Sequence, residues 1–221
     1  MLFQIFNSGF EGMTLFAVIV AYVLALLFAL SSHEFAHAYV AYRQGDNTPK
    51  LAGRLTLNPL AHLDFLGAVF LLLVGFGWAK PVECNPLNFR KYKSGIVKVS
   101  IAGVVTNLIT AILFSLFYVL ALNFADLSTT FGIFLMKFCE YMCMISFVLA
   151  VFNILPIPPL DGFSLLSAFV RRGNPYITFM QKYGIFVLLL ILITPIFDII
   201  VNFLWAFILS PFIQLWLMLL F

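Results

Sequence analysis

The sequence has little charge. Of 221 residues only 10% are Asp, Glu, Lys or Arg, where a soluble domain carries about 25%. So few charges cannot cover a water-soluble globule that is 63% apolar with a mean hydropathy of +1.09. Gly-X-Y repeats, heptads flanked by charge and long polar tracts are missing too, which excludes collagen-like, coiled-coil and disordered chains. Cysteine is scarce: Cys84, Cys139 and Cys143 are odd in number and spread out, so no disulfide framework is expected. Cys139 and Cys143 lie four apart in an apolar run, on one face of a helix, and read as small apolar residues at a packed helix interface. The start lacks a basic stretch before the apolar run and a small-residue cleavage site, so the first run is read as a permanent membrane segment. The expectation is one all-α, polytopic membrane domain over residues 1–221.

The apolar runs and the basic residues between them predict the organisation. A first span covers 13–42 and is followed by a polar, Gly- and Pro-containing loop at 43–63, in which 54–57 could be extended. The apolar run at 64–78 is short for a span and reads as a re-entrant or interfacial element. Further spans are expected at 99–122 and 130–152, then a hairpin of two short spans over 183–221, broken near Pro195 and Asp198. That makes about five spans, with a core over about 13–170 and a small β element near the functional site. Lys and Arg cluster at 43–54, 80–98 and 171–182, whereas Asp126 marks the opposite side. By the positive-inside rule the basic loops, with Arg171, Arg172 and Lys182 in the last of them, face the cytoplasm. Because these charges lie between apolar runs rather than on a face with exposed aromatics, nucleic acid is not an expected partner. The lipid bilayer is, and the short final spans leave a homo-oligomer open.

The chemistry-bearing pattern is His33-Glu34-Phe35-Ala36-His37. On a helix, histidines at i and i+4 project from one face and can grip one metal ion, and the intervening Glu can accept a proton from water. Ionisable groups inside a membrane helix are costly, which makes them a functional site by default. His37 lies six residues before Arg43, about 9 Å below the emerging loop and within reach of interfacial water. A catalytic zinc usually takes three protein ligands. Candidates for the third are His62, Asp64, Glu140, Asp161 and Asp198. Asp161 stands out because the proline-rich stretch 155–162 holds it at the membrane face on the same side as His37, although a helix-capping Asp in a Pro-Leu-Asp-Gly turn would look the same.

His33-Glu34-x-x-His37 followed by Pro158-Pro159-Leu160-Asp161-Gly162 resembles the site-2 protease family of intramembrane zinc metalloproteases. Asn58-Pro59-Leu60-Ala61-His62-Leu63-Asp64 and Gly77-Trp78-Ala79-Lys80-Pro81-Val82 are similar to stretches of its short prokaryotic branch. The resemblance covers about 30–170. It implies one Zn2+ held by His33, His37 and Asp161, with Glu34 as the base for peptide hydrolysis. A Gly-x-x-x-Asn pattern, Gly103 to Asn107, belongs to it as well and implies that Asn107 binds the substrate backbone or the developing oxyanion; Val104 departs from the proline many relatives carry there. The substrate would be a transmembrane protein or peptide, and the membrane a prokaryotic cell (inner) membrane with the site towards the cytoplasm.

Two other classes compete. A metal or proton-coupled transporter would place polar ligands on several helices along a path across the bilayer, whereas the far half of this chain has few polar groups beyond Asn123 and Asp126. An inactive scaffold of the same fold would not need Glu34. His62 and Asp64 acquire no derived role and read as an internal hydrogen-bond pair or an outer support of a ligand.

Overall fold

The computed structural model describes residues 5, 9–64, 67, 80–171 and 173–220. In chain order the helices used below are α1 (Gly12–Gln44), α2 (Thr48–Leu51), α3 (Pro59–His62), α4 (Tyr92–Phe124), α5 (Thr130–Asn153), α6 (Asp161–Ser167), α7 (Pro175–Ile193) and α8 (Ile196–Leu220). Five of them, α1, α4, α5, α7 and α8, are long and apolar enough to cross a bilayer. The protein is therefore an integral, multi-pass, all-α membrane protein.

Helices α1 and α4 are each 33 residues, about 50 Å at 1.5 Å per residue and well beyond a hydrocarbon core of about 30 Å. Their ends project out of the apolar layer, so Arg43, Lys93 and Lys98 are helical although their charge suggests loop. α1 stops at Gly45, whose φ of 110° lies in the left-handed region that favours glycine. The C-terminal pair breaks at Thr194-Pro195, as expected from a proline that has no amide to donate. Its first helix begins at Pro175 rather than 183, behind an Asn174 side chain that accepts the Tyr176 amide. Lys182 accordingly lies inside α7 and not in a loop: charge marks where a chain nears water, not where its helix ends.

No strand occurs among the described residues. The stretch expected to be extended at 54–57 bends at Leu55 and Thr56 and has no regular structure. Gly53, at φ 69°, turns the chain before it, and Asn58 accepts the Leu60 amide after it to start α3, which leaves no straight run to pair. The short apolar element expected at 64–78 falls almost wholly outside the described residues.

The core is the packing of α1, α4 and α5. Ala21, Ala25 and Ala29 recur every fourth residue on α1 and are fully buried, and they let α5 approach with Tyr141, Met142 and Ile145. Close approach of small residues is how helices associate where lipid removes the hydrophobic drive. Tyr22 meets Tyr141 edge to face at 5.5 Å. Cys139 and Cys143 are buried on α5, and Cys143 joins Ala111 of α4, Phe147 and Leu209 of α8 in a second cluster. Trp216 of α8 donates to the Ser115 hydroxyl of α4 at 3.0 Å. α7 supports the proline-rich stretch: Leu188 packs on Ile157 and Leu160, and the Tyr176 hydroxyl donates to the Pro156 carbonyl at 2.6 Å.

Candidate metal centre

Three elements converge on one point. His33 and His37 share a face of α1, and α4 lies against them. The link after α5 delivers Asp161 as the first residue of α6. His33 Nε2 lies 3.0 Å from His37 Nε2, and Asp161 Oδ2 lies 3.2 Å from the first and 3.0 Å from the second. Among the described residues these three form the one group of His, Cys, Asp or Glu side chains gathered closely enough to hold a metal ion.

The far side of each ring is also engaged. His37 Nδ1–H donates to the Val99 carbonyl at 2.8 Å. A carbonyl only accepts, so in the neutral ring the proton sits on Nδ1 and Nε2 presents a lone pair. Asn107 is fully buried with its amide 3.1 Å from His33 Nδ1. With the amide nitrogen towards the ring, Asn107 Oδ1 is buried without a partner. With the amide turned over, that oxygen accepts the Nδ1–H and His33 Nε2 is again a lone pair. Two imidazole nitrogens and one carboxylate oxygen then face one another at about 3 Å. Asp161 Oδ2 is itself buried without a hydrogen-bond partner. Such a set repels itself unless a cation lies among it.

A tetrahedral zinc with bonds of about 2.0–2.1 Å spaces its ligand atoms about 3.3 Å apart, close to the spacing here. The residues fit the ion. Gly103 makes the approach of α4 feasible, because a Cβ there would fall on the rings of both histidines.

Glu34 lies beside the cluster and faces the same cavity of about 730 Å³, whose walls include Val82, Cys84, Ile96, Val99, Phe163 and Ser164. Its Oε2 accepts the Val82 amide at 3.1 Å. Burial, with the Asp46, Glu34 and Asp161 carboxylates nearby, pushes the Cys84 thiol up to about 12.

The other candidate ligands lie elsewhere. His62 is buried and donates from Nε2 to the Thr56 carbonyl at 2.8 Å, and its own carbonyl accepts the Lys80 amide. Asp64 accepts the Gly67 amide at 2.8 Å. Glu140 pairs with Lys137 at 2.8 Å within α5, and Asp198 is exposed at the start of α8. The chemistry-bearing pattern did not flag Asp46 or the amide of Val82. Asp46 stands in Gly45-Asp46-Asn47-Thr48-Pro49, which has the composition of any turn, and a backbone donor leaves no trace in side-chain identity.

A multi-pass helical membrane protein with an H-E-x-x-H helix and a converging Asp defines a class, and comparison with known proteins gives the family. The profile of peptidase family M50 matches residues 120–195, which include Asp161. "Putative zinc metalloprotease YwhC" of Bacillus subtilis is 42% identical over 178 residues, covering 79% of this chain and 80% of that protein. "Putative zinc metalloprotease Rip2" of Mycolicibacterium smegmatis is 29% identical over 187 residues, covering 80% and 68%. Its namesake in Mycobacterium tuberculosis is 29% identical over 180 residues, covering 79% and 67%. No solved structure matches. The chain belongs to peptidase family M50, the site-2 protease family.

Proposed function

We propose that this protein is a zinc metalloendopeptidase that cleaves membrane-spanning substrates in or near the bilayer, with its site towards the cytoplasm. The observation that carries the reading is the meeting of His33 Nε2, His37 Nε2 and Asp161 Oδ2 beside Glu34 on the wall of a 730 Å³ cavity. His33, His37 and Asp161 would hold the ion. When bound, zinc supplies Lewis acidity, which polarises a carbonyl and acidifies water near neutral pH.

The protein's own groups do the rest. The Glu34 carboxylate takes the proton of the attacking water and passes it to the leaving amide nitrogen. The Val99 carbonyl and Asn107 fix the proton on the Nδ1 of each histidine and so aim both Nε2 lone pairs inward. Asn107 is fully buried against His33, so its role in this reading is to hold that ring rather than to touch substrate. The cavity has room for an unwound peptide segment, whose carbonyls a helix would shield. Arg43, Lys50, Arg54, Lys80, Arg90, Lys91 and Lys93 lie at the end of the molecule that carries the site, and the 125–129 link at the other end has only Asp126, which supports a cytoplasmic-facing site.

Glu34→Gln tests the reading. It should keep zinc and lose turnover of a membrane-spanning substrate by at least a hundredfold. Unchanged turnover would remove Glu34 from the chemistry, and a metal-transport activity that survives the substitution would favour a transporter.

A further inference from the structure

Outside the metal cluster, Glu34 accepts a backbone bond from Val82 whose role in turnover is still open to assignment. The segment 80–85 runs across the cavity without regular structure, with Pro81, Val82 and Cys84 on the cavity wall and Glu83 and Asn85 exposed. It is tied down at three points. At its start the Lys80 amide donates to the His62 carbonyl at 2.8 Å. In the middle the Val82 amide donates to Glu34 Oε2 at 3.1 Å. At its end the Asn85 amide donates to Asp46 Oδ2 at 2.7 Å.

Asp46 is fully buried and is the hub of this arrangement. Its Oδ1 accepts the Asn88 side-chain amide at 2.8 Å, the Thr48 amide at 3.0 Å and the Thr48 hydroxyl at 2.6 Å. The Arg90 amide adds a bond to the Gln44 carbonyl at 2.8 Å. A buried carboxylate that accepts bonds from both sides ties them together, because releasing a donor leaves part of its charge without a partner. The left-handed turn at Gly45 places this joint two residues past the end of α1, the helix that carries Glu34.

We propose that 80–85 is a positioning strap for Glu34, and that Asp46 is the positioning residue that sets it. A carboxylate on a free glutamate side chain samples several rotamers. One oxygen fixed by a backbone amide from a strap anchored on the same helix leaves the carboxylate one direction in which to take a proton. The anchoring also accounts for His62, whose buried ring bonds Thr56 and thereby holds the carbonyl that seats Lys80. The proposal rests on the peptidase reading for its consequence in turnover, but the strap itself can be read without turnover.

The test uses the full chain in detergent micelles. Cys84 is a native reporter on the strap, and its alkylation by N-ethylmaleimide, resolved by mass spectrometry, is taken per thiolate from the pH profile of each variant, because losing the Asp46 or Glu34 carboxylate by itself eases thiol ionisation, and is compared with that of Cys139 and Cys143 in α5. Zinc per chain is measured alongside, and turnover is followed with a fluorescein-labelled synthetic single-span peptide carried in the same micelles. Asp46→Asn keeps the shape of the side chain and loses acceptor capacity towards the strap. It should raise Cys84 alkylation about tenfold. Zinc per chain should stay at the wild-type value, kcat should fall about tenfold, and KM should stay within about twofold. Glu34→Ala should raise Cys84 alkylation as well, since it removes the middle tie. Ser128→Ala, which deletes one side-chain bond to Asp126 in the link between α4 and α5 and none to the strap, is the folding control and should sit near wild type.

Wild-type Cys84 reactivity in Asp46→Asn or in Glu34→Ala overturns the strap. Faster Cys84 alkylation with kcat unchanged overturns Asp46 as a positioning residue. Wild-type protein that alkylates as expected yet turns over no faster than Glu34→Gln counts against the peptidase reading and leaves the strap standing.

Discussion

Gly103 gives the sharpest packing prediction. A Cβ built there would lie 2.5 Å from His37 Nε2 and 2.6 Å from His33 Nδ1, and it would also overlap His33 Cε1. Ordinary contact begins near 3.4 Å, so Gly103→Ala requires the rings or α4 to withdraw by about 1 Å. Zinc ligands tolerate displacements of about 0.2 Å. In a solvated helix, glycine to alanine stabilises by about 0.5–1 kcal/mol. Overpacking a close contact costs about 1–3 kcal/mol, so the clash wins. The variant should melt lower than wild type and bind zinc at least tenfold to a hundredfold more weakly. Competition against a chelator of known affinity measures the second quantity, and a thermal melt in detergent the first. Gly103→Val should be worse on both counts. A Gly103→Ala protein that melts higher and holds zinc with wild-type affinity would show that α4 does not press on the rings, and the described centre would be wrong.

Other outcomes follow from the same contacts. Asn107→Ala should weaken zinc binding about tenfold to a hundredfold by freeing His33 Nδ1, whereas Asn107→Asp, which can still accept the ring proton, should retain more of it. Burial alone would raise the Asp46 carboxyl. The bonds from Thr48, Asn88 and Asn85 outweigh it and hold the group below the usual carboxylate range. The stability Asp46 contributes is therefore present above the unfolded carboxylate range and lost as pH falls through its lower folded value, so hydrogen exchange of 80–90 should rise below about pH 4, less so in Asp46→Ala, where these bonds are already gone. Lys137 and Glu140 pair at 2.8 Å within the span of α5. Each single Ala substitution should lower the melting temperature more than the double substitution, because it leaves one charge unpaired among apolar groups.

The spans were legible in the sequence because twenty or so apolar residues in a row have few other solutions. Pro195 announced its break through the missing amide. Helix ends were not legible: α4 runs out to Tyr92 and α7 through Lys182, since a helix does not stop where the bilayer does. Of the candidate site, His33, Glu34 and His37 could be read from one helical repeat. Asp161 needed the rigid proline stretch as context, and its competitors His62, Asp64 and Glu140 were separable only by seeing each engaged elsewhere. The Val82 and Asp46 contacts span 48 and 39 residues and involve backbone donors, so side-chain pattern contains no signal for them.

The most direct test of the account is zinc content by elemental analysis of the full chain purified in detergent. Wild type is compared with His33→Ala, Asp161→Ala and Glu34→Gln. About one zinc per chain is expected in wild type, the same in Glu34→Gln, and loss from both ligand variants. Zinc retained in Asp161→Ala, or no zinc in gently handled wild type, would contradict it.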